Sequence, residues 1–248
     1  MTTVTMRGFT VIELMLFLGI TGMLFAALMV GVNSNITQQR YKESVVGLSS
    51  ALQNQYSEVI NTRNERGKDW TCDVDAEQKV ISVNSRQPEG EARGRAAPCV
   101  LLGRLIEITD SGKVLKTAAV VGSDLGGADA RGDLDTLTNF MPTKTTFSAE
   151  DIDIDWGSYL ANQENSAITA SILIVRSPAS GLIRVFVSSN ELNGSLASII
   201  APQNAMTPLV MCIGNEDRGS YPAQSLTIDP RVAGPDGVST QEANGVCA

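Results

Sequence analysis

Nineteen consecutive residues, Leu14–Val32, carry no charge, and Thr21 is the only polar side chain among them. This run limits the chain more than any other feature. At about 1.5 Å per residue it extends roughly 28 Å as a helix, close to the ~30 Å hydrocarbon thickness of a bilayer. Nothing later in the 248 residues is comparable, so the chain crosses a membrane once or buries this helix in an assembly. The remaining length suits one sizeable domain rather than two large ones.

Glu13 stands at the entrance to the run. A carboxylate at the centre of a membrane helix costs about 2.5–3.5 kcal/mol, and less near the edge. The Leu, Ile, Phe and Val residues of Leu14–Val32 contribute roughly −3 to −6 kcal/mol on the same insertion scale. Insertion therefore survives Glu13, but the carboxylate needs a purpose. A secretory signal fits poorly, because its apolar core is about 7–15 residues and is preceded by a basic region. A plain anchor fits the length and leaves Glu13 unexplained.

The string Arg7-Gly8-Phe9-Thr10-Val11-Ile12-Glu13-Leu14, running directly into the apolar stretch, resembles the class III leader of type IV pilins and pseudopilins. The resemblance implies cleavage between Gly8 and Phe9 by a prepilin peptidase and N-methylation of Phe9. It divides the chain into a leader (1–8), a transmembrane and polymerisation helix (9–32), an amphipathic helix half (33–62) and an extracytoplasmic β-rich domain (63–248). It implies that Glu13 pairs with the Phe9 amine of a neighbouring subunit. That pairing is physically reasonable, since buried charges are tolerated when paired. Many members carry a proline near the position of Val30; this chain has Gly19, Gly22 and Gly31 instead, each weakening the helix by about 1 kcal/mol relative to Ala.

Beyond Val32 the pattern becomes amphipathic. Tyr41, Val45, Leu48, Leu52, Tyr56 and Val59 recur at steps of three or four, the spacing of one helical face. The helix is expected from about Thr10 to Thr62. The later sequence reads as short strands: a minor one at Lys79–Val83, a hairpin of Cys99–Ile108 and Lys113–Val121 about Asp110-Ser111-Gly112, and a second of Ile168–Val175 and Leu182–Ser188. Leu209–Ile213 reads as the last core strand, and the Gly-, Pro- and Asp-rich tail as floppy without a tether. The expected fold class is α+β, a long N-terminal helix packed on one antiparallel sheet.

Cys72, Cys99, Cys212 and Cys247 all follow the apolar run, and none forms a CxxC pair. An even count outside the membrane points to two disulfides in an oxidising compartment. Of the three pairings, Cys72–Cys99 with Cys212–Cys247 is favoured, because each closes a polar loop containing Gly and Pro. In pilins the C-terminal disulfide-bounded segment is exposed and variable, and the resemblance extends that role to the tail.

The chain has no histidine, which removes Ser–His and Cys–His nucleophile pairs and the commonest metal ligand. No phosphate-binding glycine loop or H-E-x-x-H string occurs. An enzyme is not expected, nor a cofactor. A net charge of −8 disfavours general nucleic-acid binding. No metal site is expected; the nearest approach to one is Asp124, Asp129, Asp133 and Asp135 in a Gly-rich stretch, as weak calcium candidates. Asp151, Asp153 and Asp155 alternate with Ile and Trp as in a half-buried strand, and miss the Gly and Glu positions of an EF-hand. Arg86, Arg93 and Arg95, interrupted by Glu89 and Glu91, read as a solvated loop.

The expected function is structural. The chain enters the inner membrane with its N-terminus in and C-terminus out, then joins a type IV pilus as a major or minor pilin serving adhesion, motility or DNA uptake. Its partners would be other pilin subunits, the prepilin peptidase, the membrane and the assembly platform. The alternatives are a pseudopilin of a type II secretion or competence system, and a monomeric membrane-anchored extracytoplasmic binding protein.

Overall fold

The computed structural model describes residues 10–61, 71–75, 80–84, 99–124, 132–146, 149–190, 192, 195–215, 221–243, 245 and 247. The chain opens with one helix, α1 (Val11–Ile60). With no proline before Pro88, nothing interrupts its hydrogen-bond ladder. Thr10 closes the N-terminus, its Oγ1 accepting from the Glu13 N–H. The Asn61 N–H ends the ladder on the Ser57 carbonyl, slightly short of the expected Thr62.

Among the described residues twelve strands and a short helix follow: β1 (Thr71–Asp75), β2 (Val80–Asn84), β3 (Val100–Thr109), β4 (Val114–Gly122), α2 (Asp133–Asn139), β5 (Thr143–Lys144), β6 (Glu150–Asp153), β7 (Ser158–Ala161), β8 (Ala170–Arg176), β9 (Ile183–Ser188), β10 (Leu209–Asn215), β11 (Gln224–Ile228) and β12 (Val238–Glu242). All pairings are antiparallel. β1 and β2 form a two-stranded ribbon. A six-stranded sheet runs β5-β4-β3-β8-β9, with β6 also against β4, and a four-stranded sheet runs β12-β11-β10-β7.

The chain is therefore α+β, but the expectation of one sheet is corrected. Tyr41, Val45, Leu48, Leu52, Tyr56 and Val59 are all buried, in a core shared with both larger sheets. The six-stranded sheet supplies Ile106, Ile172, Ile174 and Val185; the four-stranded sheet supplies Met211, Ile213, Leu226 and Ile228. Burying that helical stripe contributes on the order of 10 kcal/mol before conformational entropy is charged. A second core, with Leu105, Leu173, Val175 and Phe186, covers the opposite face of the six-stranded sheet. Leu137 of α2 and Leu196, Ile199 and Ile200 close over it. Covered on both faces, β8 is buried at each of its first six residues, Ala-Ser-Ile-Leu-Ile-Val, a continuous run in place of alternation, and only Arg176 at its end is exposed.

Two glycines are required by close approach. The β3 register shifts between Leu101 and Gly103, where a Cβ on Gly103 would collide with the Ile174 carbonyl. Gly112, in the β3–β4 turn, has φ +81° and lies against the Leu160 backbone.

The tail is a further correction. β10 is not the last core strand, because β11 and β12 extend the same sheet and bury Leu226, Ile228 and Val238. The disulfides join Cys72 to Cys99 and Cys212 to Cys247, across 27 and 35 positions, with Cα–Cα distances of 6.1 and 5.7 Å. The second ties the C-terminal residues to β10, across the sheet from the edge strand β12.

Candidate functional site

Every apolar side chain described between Val11 and Val32 is exposed, so this half of α1 packs against nothing among the described residues. Val11–Met29 has the length and hydropathy to cross a bilayer, as a single-pass anchor or a signal sequence would. Its one internal hydroxyl is satisfied within the helix, Thr21 Oγ1 donating to the Phe17 and Leu18 carbonyls (2.7 and 3.2 Å). No side-chain polar group in the stretch therefore requires water, Glu13 excepted.

Glu13 lies in the first turn, and its carboxylate has no ion pair among the described residues. Thr10-Val11-Ile12-Glu13 also has the spacing of a capping box, which sequence reading overlooked. The structure shows one half of that box, the Glu13 N–H on Thr10 Oγ1 at 3.3 Å. That bond uses the Glu13 backbone, and the carboxylate is the group the expected assembly role concerns. Arg7, Gly8 and Phe9 lie outside the described residues.

Where α1 enters the domain, Tyr41 is fully buried. Its hydroxyl donates to the Ile213 carbonyl (2.8 Å) and accepts from the Gln224 N–H (3.0 Å), occupying a rung at the end of the β10–β11 ladder. Its ring meets Tyr221 edge-on at 5.7 Å. On either side, Arg40 lies over the Trp156 ring and Lys42 over Tyr221, each at 4.8 Å. Further along the helix, buried Arg104 of β3 donates from Nε to Gln55 Oε1 and pairs with Glu58 Oε2, both at 3.0 Å. Helix and sheets are thus fixed at two separated points. Near the second, burial pushes the Tyr56 hydroxyl pKa well up, with the Asp229 carboxylate adding to the shift.

The acidic candidates are dispersed. Among the described residues no group of three Asp, Glu, Cys or His side chains is placed to hold a metal ion. Asp133 is committed elsewhere: Arg184 Nη2 pairs with its Oδ2 at 2.6 Å, and Ser177 donates to Oδ1 at 2.8 Å. The Arg184 hydrogen bond, then those from Ser180 and Ser177, hold its carboxyl below the usual carboxylate range. Asp124 and Asp135 make other polar interactions, and Asp129 lies outside the described residues. Asp151 and Asp153 line the outer side of β6, with Ile152 and Ile154 turned to the core, so the half-buried strand holds as far as Asp153. Beyond it the expectation is corrected, because Asp155 and Trp156 lie in a single helical turn, Asp155–Gly157, where Trp156 takes φ +58°. The cluster of Arg86, Glu89, Glu91, Arg93 and Arg95 lies outside the described residues.

Sequence reading missed a groove of about 940 Å³ at the β9 edge, lined by Ile183, Arg184, Phe186, Pro202, Met206 and Arg231 among others. Its walls come from segments around positions 133, 184, 203 and 231, so no local pattern could announce it. No protein-family model, curated protein or solved structure matches the chain.

Proposed function

We propose that this chain is a structural subunit of a type IV pilus, anchored in the inner membrane through α1 before polymerising through it. The observation that carries the reading is one uninterrupted helix whose first half is apolar and bare and whose second half is built into a disulfide-bonded domain. Such a helix is satisfied only by lipid or by other apolar helices. In the proposed sequence of events, peptidase cuts after Gly8, Phe9 is methylated, and Glu13 accepts the Phe9 amine of a neighbour during packing of the apolar halves. The globular domain then faces outward, and its exposed surface serves adhesion, motility or DNA uptake. The same arrangement supports a pseudopilin of a secretion or competence system. The distinction lies in where the processed protein accumulates.

The test begins with intact mass and N-terminal sequencing of protein from native membranes and from sheared surface fibres. N-methyl-Phe9 in the fibre fraction is the expected result. The processed terminus in membranes alone supports the pseudopilin, and an intact Met1 terminus in both removes the assembly reading in favour of a monomeric anchored domain. Glu13→Gln then separates the two parts of Glu13, because Gln keeps the capping-box spacing while losing the charge. Loss of fibres at normal membrane levels is expected; normal fibres would show that the charge is dispensable.

A further inference from the structure

We propose that the rim of the domain around Trp156 docks on the phospholipid headgroup layer when α1 spans a membrane. Arg40 and Lys42 contact lipid phosphates there, and Trp156 and Tyr221 seat among the headgroups. This rests on the membrane-anchored reading of α1 and needs neither cleavage nor polymerisation. The level of the rim follows from helix geometry. After Glu13, the first charges in the chain are Arg40 and Lys42. Arg40 stands eight positions beyond Val32, about 12 Å along the axis. Helical side chains lean back toward the N-terminus, over roughly the preceding turn of ~5.4 Å. The guanidinium therefore lies about 7 Å above the end of the apolar run. A ~40–45 Å bilayer with a ~30 Å hydrocarbon core has a headgroup layer about 5–7 Å deep on each side, so the two levels coincide.

The Asp155–Gly157 turn packs on α1 at this height, and Arg40 lies over the Trp156 ring at 4.8 Å. Trp156 is 49% exposed, and its position is imposed rather than relaxed. Its φ of +58° is left-handed, an outlier for so bulky a residue, and Gly157 follows at +67°. Buried Asn215 of β10 holds the turn, its Nδ2 donating to the Trp156 carbonyl at 2.8 Å. Such a conformation persists only where the surroundings dictate it. Tyr221 is half-buried against Tyr41, with Lys42 over its ring. Trp and Tyr concentrate at membrane–water interfaces because each joins an apolar ring to a polar end. The cations suit the same layer. Stacking uses the face of a guanidinium and leaves its N–H edge for a phosphate. Neither Arg40 nor Lys42 has an ion pair among the described residues. Exposed Glu43 and Asp155 balance their charge locally, so aromatic seating and phosphate contact hold the rim, not net charge.

The experiment uses the full chain in vesicles of phosphatidylethanolamine and phosphatidylglycerol. Trp70→Phe leaves Trp156 as the single fluorescent reporter, and a lipid with a nitroxide on its headgroup is the quencher. Quenching of most of the Trp156 emission is expected. Arg40→Gln with Lys42→Gln keeps the tether and the helix, and is expected to lower the docked-to-free ratio about tenfold, read as loss of most of the quenching. The direct measurement on Trp156 keeps the test valid should that double variant misfold. A second chain, carrying Phe25→Trp with Trp70→Phe and Trp156→Phe, tests the anchor through quenching by acyl-brominated lipid. A quenched Phe25→Trp reporter beside an unquenched Trp156 overturns the rim contact and leaves the anchor standing. Unchanged quenching after Arg40→Gln with Lys42→Gln also overturns it, since tethering alone then brings Trp156 close. An unquenched Phe25→Trp reporter overturns anchor and rim contact together.

Discussion

The hydroxyl of Tyr41 accepts a hydrogen bond from the backbone of Gln224, 183 positions later, and passes one on to Ile213. A helix side chain thereby completes the end of a strand ladder, joining the start of the amphipathic half to the four-stranded sheet. Tyr41→Phe keeps the ring and its contact with Tyr221 while removing both bonds. A loss of about 1–2 kcal/mol is expected in urea denaturation of the full chain in micelles, with the spectrum of the folded state unchanged.

Arg104 joins the same helix to the other sheet. Arg104→Met leaves buried Gln55 and half-buried Glu58 without their cation, and costs about 2–4 kcal/mol by the same measurement. Adding Gln55→Leu and Glu58→Met removes the two groups that lost the guanidinium and should recover most of that loss. Failure to recover would mean that the site contributes through packing rather than charge.

The disulfides are expected to differ in what they protect. Either bond closes a loop whose entropy corresponds to roughly 3.5–4 kcal/mol in the unfolded chain. Cys212→Ser with Cys247→Ser should release the tail and speed proteolysis after β12. Cys72→Ser with Cys99→Ser should leave β10–β12 as protected as before. Limited proteolysis with mass mapping checks both.

Acid should loosen the contact between α2 and β9 before it unfolds the domain. The Asp133 carboxyl is held below its unfolded value, so its contribution is present above about pH 4 and disappears as the pH falls through the lower folded value. Carboxyl-detected NMR should place its midpoint below that of an exposed aspartate. Arg184→Gln should bring the midpoint back and cost about 0.5–1 kcal/mol at neutral pH, since Arg184 is partly exposed.

Long-period and short-turn signals were legible, and long-range assembly was not. The Tyr41–Val59 stripe declares a buried face because helix geometry alone puts those residues together. The β3–β4 and β8–β9 hairpins show themselves through apolar runs about turn residues, which are local as well. β11 and β12 stayed hidden because β12 is polar and exposed at four of its five positions, so its place rests on pairing with β11 rather than on composition. The second sheet was missed for the same reason. Glu13 was conspicuous as a charge beside an apolar run, whereas the role of Asp133 depends on Arg184, 51 positions away.

A continuous rod with a bare apolar half and a half built into the core is also a route for mechanical force. Tension applied to the N-terminal half enters the domain at Tyr41, whose two hydrogen bonds sit at the end of a ladder, and reaches Arg104 through Gln55 and Glu58 further along. With both larger sheets gripping the same helix, pulling sets the domain's attachments in shear along α1, and no single flexible joint has to carry the load.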